Sequence, residues 1–147
     1  MDFHDYLESC GETAERESRL LEELAGSGEL SFLQRRAARS SLQILIENAI
    51  GKSRRILKHY NCPTVPKTGR DAASFLYETG VIDDELYREL SAAIGFRNAM
   101  IHDYMDFSEE LLEEMVHSGR WRVLVDYLKW VPELTEVQVH RIEGFLL

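Results

Sequence analysis

The sequence predicts an all-α domain, an up-down helical bundle. Three observations carry this: apolar residues recur at three- and four-residue spacing, Ser, Thr and Asp stand where helices would start, and no stretch alternates with period two long enough to form a strand. The 147 residues are 44% hydrophobic, enough to build one core without metals or crosslinks, so residues 1–147 are read as a single domain. No internal repeat suggests otherwise.

From Phe3 to Leu24 the apolar residues are sparse (Phe3, Leu7, Cys10, Ala14, Leu20, Leu21, Leu24) and acids fill the intervals. This reads as one amphipathic helix, with a potential break near Gly11 and an end at Gly26-Ser27-Gly28. Ser31 and Gln34 stand at capping-box spacing and open a long helix. Its stripe runs Leu42, Leu45, Ile46, Ala49, Ile50, Ile56, Leu57, Tyr60. Asn61, Pro63 and Pro66 stop it, because proline lacks an N–H and restricts the residue before it.

Thr68 and Asp71 resemble a second capping box, and a short helix with Ala72, Phe75 and Leu76 inward should end at Gly80. Asp83 caps the next helix, whose stripe is Leu86, Leu90, Ala93, Ile94 and then, in the same phase, Arg97 and Ile101. Beyond it Ser108 starts a helix that breaks around Ser118-Gly119. A stretch from Trp121 to Trp130 stops before Pro132, and Thr135 to Leu147 forms the last helix.

The net charge of −9 argues against nonspecific coating of nucleic acid, since like charge repels phosphate at long range. The charge is segregated, however. Residues 31–70 hold Arg35, Arg36, Arg39, Lys52, Arg54, Arg55, Lys58, Lys67 and Arg70 against the single acid Glu47. The remainder carries eight basic residues against 25 acidic ones. A local positive field on an acidic body suits a nucleic-acid contact or an acidic partner, and it equally suits a solvated helix face.

The N-terminus, Met1-Asp2-Phe3-His4-Asp5, is acidic where a secretory signal is basic, and no apolar run approaches the roughly 20 residues of a bilayer span. A cytoplasmic protein with no membrane contact is expected. Cys10 and Cys62 are far apart and outside any C-x-x-C pair, so packing is the reading for both. His4, His59, His117 and His140 lack ligand spacing, and neither a metal nor a cofactor is expected.

The informative segment is Arg97-Asn98-Ala99-Met100-Ile101-His102-Asp103-Tyr104. Metal-independent RNA cleavage needs a base for the 2′-OH, an acid for the leaving oxygen and positive charge at the phosphate. Histidine titrates near neutral pH, and arginine offers a permanently charged fork. Five residues along a regular helix are about 140° apart around its axis. Arg97 and His102 therefore share a face only if the helix breaks before His102, or act together only if two chains meet in a shared cleft. A homodimer would also hydrate or pair an arginine in the buried phase. On spacing alone the plainer reading competes: Arg97 pairs with an acid such as Glu47, and His102 is a helix-end residue.

The octet matches R-x-x-x-x-H-x-Y. With Tyr77 to Gly80, Ile82 to Leu86, Ile94-Gly95-Phe96-Arg97-Asn98, and Leu42-Gln43, Glu47 and Asn48 in the long helix, the chain resembles HepT toxins of the HEPN domain family over roughly Arg39 to Tyr104. The tail after Tyr104 departs from the family most. The resemblance implies a HEPN-type bundle that forms a homodimer with a shared motif cleft and cleaves RNA with Arg97 and His102. It also implies an MntA-like nucleotidyltransferase antitoxin as partner, which transfers AMP to Tyr104. That modification would set bulk and negative charge beside Arg97 and His102. Asn98 and Asp103 would orient the pair, and Glu47 would support Arg97.

Lys52, Arg54, Arg55 and Lys58 could track an RNA backbone, with a solvated face as the alternative. Trp121, Tyr127 and Trp130 read as core aromatics rather than a stacking platform. Two functions fit: a toxin ribonuclease, or a non-catalytic helical partner of a nucleotidyltransferase. RNA cleavage lost in His102→Ala separates them.

Overall fold

The computed structural model describes residues 1–103 and 107–145. Among these, seven helices account for all regular structure: α1 (Phe3–Ala25), α2 (Phe32–His59), α3 (Gly69–Glu78), α4 (Asp84–His102), α5 (Glu109–Ser118), α6 (Arg122–Lys129) and α7 (Glu136–Glu143). None is long and apolar enough to cross a membrane.

The starts follow from local chemistry. Asp2, Ser31, Thr68, Asp83, Ser108 and Thr135 each accept a hydrogen bond from a backbone N–H three residues on. Those N–H groups have no partner inside the helix. Ser31–Gln34 and Thr135–Gln138 form complete capping boxes. The stops are equally local: Asn61 at φ 64°, Gly80 at 81° and Gly119 at 74° take left-handed conformations just past helix ends, where glycine or asparagine is least strained.

The expected break at Gly11 does not occur. Cys10, Ala14, Leu21 and Leu24 on either side of it form one buried stripe, and burial of that stripe outweighs the roughly 1 kcal/mol that a mid-helix glycine costs relative to alanine. Ile101, placed inward by phase, is 42% exposed, and Met100 beside it is 4% exposed.

α2 is the central post. It runs antiparallel to α1: Phe3 stacks on His59 at 4.0 Å and Arg55 reaches the Met1 carbonyl. It is also antiparallel to α4, since Glu47 meets Arg97 while the earlier Arg39 lies over Phe107, beyond the end of α4. Leu42, Leu45, Ile46, Ala49, Ile56 and Leu57 supply its core face. Trp121 is fully buried, and its indole N–H donates to the Val116 carbonyl at 3.0 Å. Burial of these apolar faces is the main force holding the helices together.

Candidate functional site

The motif residues sit on the last two turns of α4. Arg97 leaves the helix towards α2, where its Nε donates to Glu47 Oε1 at 2.6 Å and its Nη1 donates to Asn98 Oδ1 at 2.8 Å. The pair is half-buried, with 28% of the arginine side chain and 40% of the glutamate exposed. Two charge-assisted or polar bonds on a rigid planar fork fix its orientation. They leave three of the five guanidinium N–H groups for another acceptor. Glu47 and Asn98 thus both stand in contact with Arg97.

His102 is the last residue of α4 and is exposed. Its imidazole makes no hydrogen bond with any described residue. Asp103, also exposed, is the C-cap, its N–H donating to the Ala99 carbonyl at 2.9 Å. The helix remains unbroken through His102, so within one chain the two motif positions stand about 140° apart around its axis. Tyr104 lies outside the described residues.

The chain is pinned again just beyond. Phe107 is buried edge-on against Phe96 at 5.3 Å, and the Arg39 guanidinium lies over its ring at 4.9 Å. Arg35 and Arg39 both pair with Glu109, at 3.2 and 3.1 Å. Arg35 and Arg39 thus bring the start of α2 against the segment that follows α4.

The basic residues expected to track RNA fare differently. Lys52 is fully buried; its ammonium donates to the carbonyls of Tyr127 (2.6 Å), Leu128 (3.4 Å) and Trp130. It cannot meet RNA. The reason is tertiary: α6 ends against α2, and its last carbonyls need donors. Arg54 donates to the Pro66 carbonyl at 2.9 Å, and Arg55 to that of Met1 at 2.7 Å, its guanidinium 4.8 Å from the Tyr6 ring. Both are exposed or half-exposed, but they tie α2 to neighbouring segments. Lys58 is exposed and makes no ion pair among the described residues. It lies about 16 Å along α2 from Glu47, away from the motif.

Burial pushes the Lys52 ammonium down to about 8, opposed by the nearby Cys10. Burial likewise raises the Cys10 thiol and the Tyr6 and Tyr127 phenols. These groups form the packed seam among α1, α2 and α6, remote from α4's outer face. Among the described residues no three of His, Cys, Asp or Glu converge as a metal site would require.

One cation close to the motif helix has no mark in the sequence to distinguish it. Arg70, at the start of α3, lies against α4 at Gly95: a Cβ at Gly95 would stand 3.5 Å from its Nη2. Its place in the basic stretch 31–70 is plain from the sequence, but a contact across 25 residues is not.

A sequence comparison with curated proteins finds no match. Among solved structures the chain is similar to the tri-AMPylated HEPN toxin of Shewanella oneidensis in complex with MNT antitoxin, with a TM-score of 0.73, 22% identity, and 88% of this chain and 98% of that one covered. It is similar to a toxin–antitoxin structure with AMP-PNP (TM-score 0.72, 21% identity, 85% and 98% covered). A mutant MntA-HpeT toxin–antitoxin gives a TM-score of 0.71 at 20% identity, with 84% and 98% covered. At such identities these likenesses speak to the fold. Sequence carries the assignment further: residues 5–130 match the family model described as ribonuclease HepT-like, and the chain belongs to that family.

Proposed function

We propose that this chain is the toxin of a toxin–antitoxin pair, an endoribonuclease that cleaves RNA through its 2′-OH without a metal. The observation that carries the reading is the oriented Arg97, held by Glu47 and Asn98, five residues before an exposed His102 that makes no hydrogen bond with any described residue, in a chain of the HepT-like ribonuclease family. His102 transfers the proton between the 2′-OH and the leaving oxygen, and Arg97 offers its remaining N–H groups to the phosphate. Asp103, as C-cap, helps hold the last turn that presents His102.

One chain directs the two groups about 140° apart, so the working site is assembled by a homodimer whose cleft receives Arg97 from one copy and His102 from the other. The partner is an MntA-like nucleotidyltransferase antitoxin. It attaches AMP to the Tyr104 phenol: the phenolic oxygen attacks the α-phosphorus of ATP and pyrophosphate leaves. The added phosphate repels RNA and fills the space beside His102. The AMPylated state of the similar Shewanella toxin supports this reading.

The test is RNA cleavage in chelator by the purified protein, with Tyr104 verified unmodified by mass, beside folded Arg97→Ala and His102→Ala variants. Cleavage by wild type and a loss of at least about a hundredfold in each variant is expected. Intact RNA in every lane would leave the chain as a non-catalytic partner of the nucleotidyltransferase.

A further inference from the structure

The outer face of α4 carries a cation outside the motif. Arg70 is the second residue of α3, and its starting point is fixed by close packing. A Cβ on Gly69 would strike the Ile50 side chain at 2.7 Å, and the Pro66 carbonyl is held by Arg54. From that corner the exposed Arg70 side chain reaches α4 and lays its guanidinium on Gly95. Among the described residues it makes no ion pair or hydrogen bond. It differs in this from Arg35, Arg39, Arg88, Arg97, Arg120 and Arg122, which have acidic partners, and shares it with Arg36 and Arg141, of which only Arg70 lies against α4.

Its place relative to the motif follows from helix geometry. His102 is seven residues beyond Gly95, which brings it to within about 20° of the same face and about 10 Å further along the axis. Arg97 leaves about 160° away from Gly95, towards Glu47. Between Arg70 and His102 the face presents Gly95 and Ala99, both partly exposed, which floor a groove walled by Leu111, Glu114 and Met115 of α5 and by Arg120. A phosphodiester lying at His102 would thus bring a neighbouring phosphate of the same strand to Arg70.

We propose that Arg70 is a substrate-binding residue that grips the phosphate of a nucleotide flanking the cleaved bond. It rests on the ribonuclease reading above, and it assigns to α3 a part in RNA recognition that the R-x-x-x-x-H pattern does not contain.

The test uses the full-length protein and a fluorescent single-stranded RNA of mixed sequence with 2′-O-methyl riboses, which cannot undergo 2′-OH attack and so reports binding alone. Wild type, Arg70→Gln, Arg70→Lys and Lys67→Gln are titrated at several salt concentrations, with oligomeric state followed by light scattering. Arg70→Gln is expected to weaken binding about tenfold and to lower the slope of log K against log salt by about 0.7, the signature of one lost phosphate contact on a single strand. Arg70→Lys should restore the slope, and Lys67→Gln should change neither quantity beyond about twofold. Cleavage of unmodified RNA should show a raised KM for Arg70→Gln with kcat nearly kept. Equal binding by wild type and Arg70→Gln, with wild type still cleaving, overturns the role of Arg70 and spares the ribonuclease reading. Dissociation of Arg70→Gln into monomers, or an equal loss in Lys67→Gln, overturns it as well. Wild type that neither binds nor cleaves RNA removes both.

Discussion

Lys52 donates to the carbonyl oxygens at the end of α6, acceptors that otherwise have no partner in a buried place. Its three N–H groups meet three carbonyls, and the rings of Tyr127 and Trp130 lie 5.3 and 5.4 Å from its nitrogen. Replacing it by methionine keeps the stem but strands those carbonyls, and Lys52→Met should cost about 1–3 kcal/mol in urea unfolding. The group also makes stability depend on pH. Its value in the folded chain, about 8, lies below the ordinary 10.5, so between those limits the unfolded chain binds the extra proton. Stability contributed by Lys52 therefore rises from pH 8 towards 10.5 and is smallest below 8. The urea midpoint of wild type relative to Lys52→Met should climb over that window, and parallel curves would refute the shift. From sequence Lys52 reads as one more cation in a basic run; only the arrival of α6, some 75 residues later, makes it interior. Glu47 is the opposite case. As the only acid in residues 31–70 it is the one carboxylate that α2 can offer an inward arginine, and its support of Arg97 is legible in the sequence itself. Glu47→Gln, which keeps the shape and removes the charge, should leave the protein folded and lower RNA cleavage by about tenfold or more through a less firmly held guanidinium. Unchanged cleavage would mean that Asn98 alone positions Arg97.

At the scale of elements, caps and stops are legible because they are local: Ser31, Thr68, Asp83, Ser108 and Thr135 each do what their residue types do at a helix start. Where local signals compete with packing, packing wins. Gly11 is an ordinary residue in the middle of α1, and a Cβ there would meet nothing within 4 Å. Gly11→Ala should accordingly stabilise the protein by about 0.5–1 kcal/mol, read as a raised thermal midpoint. At Gly119, with φ 74° and the Arg122 side chain in the way of any Cβ, alanine should instead destabilise by about 1 kcal/mol. The two substitutions have the same chemistry, and the left-handed backbone and crowding by Arg122 at Gly119, both lacking at Gly11, set the opposite signs. Phase along α4 misplaces Ile101 because the buried stripe leaves the helix through Phe96 and Met100, and Ile101 in the last turn stands at its edge.

For the whole molecule, the arrangement of α2 against α4 determines how the site can work. The antiparallel packing brings Glu47 to Arg97 and points that guanidinium one way while the unbroken helix sends His102 another. On the proposed reading a monomer with this geometry does not bring both groups to one phosphate, and a twofold dimer would, by offering Arg97 from one copy and His102 from the other. The consequence can be checked by complementation. Arg97→Ala and His102→Ala homodimers should each be inactive. In a mixed dimer of the two variants, one cleft loses both groups while the other keeps an intact Arg97 and an intact His102. Unfolding and refolding an equimolar mixture, with statistical exchange giving half heterodimers, should therefore recover up to about a quarter of the wild-type cleavage rate. If each site instead draws both groups from a single chain, every dimer in the mixture lacks one of them in each site, and no activity returns on mixing.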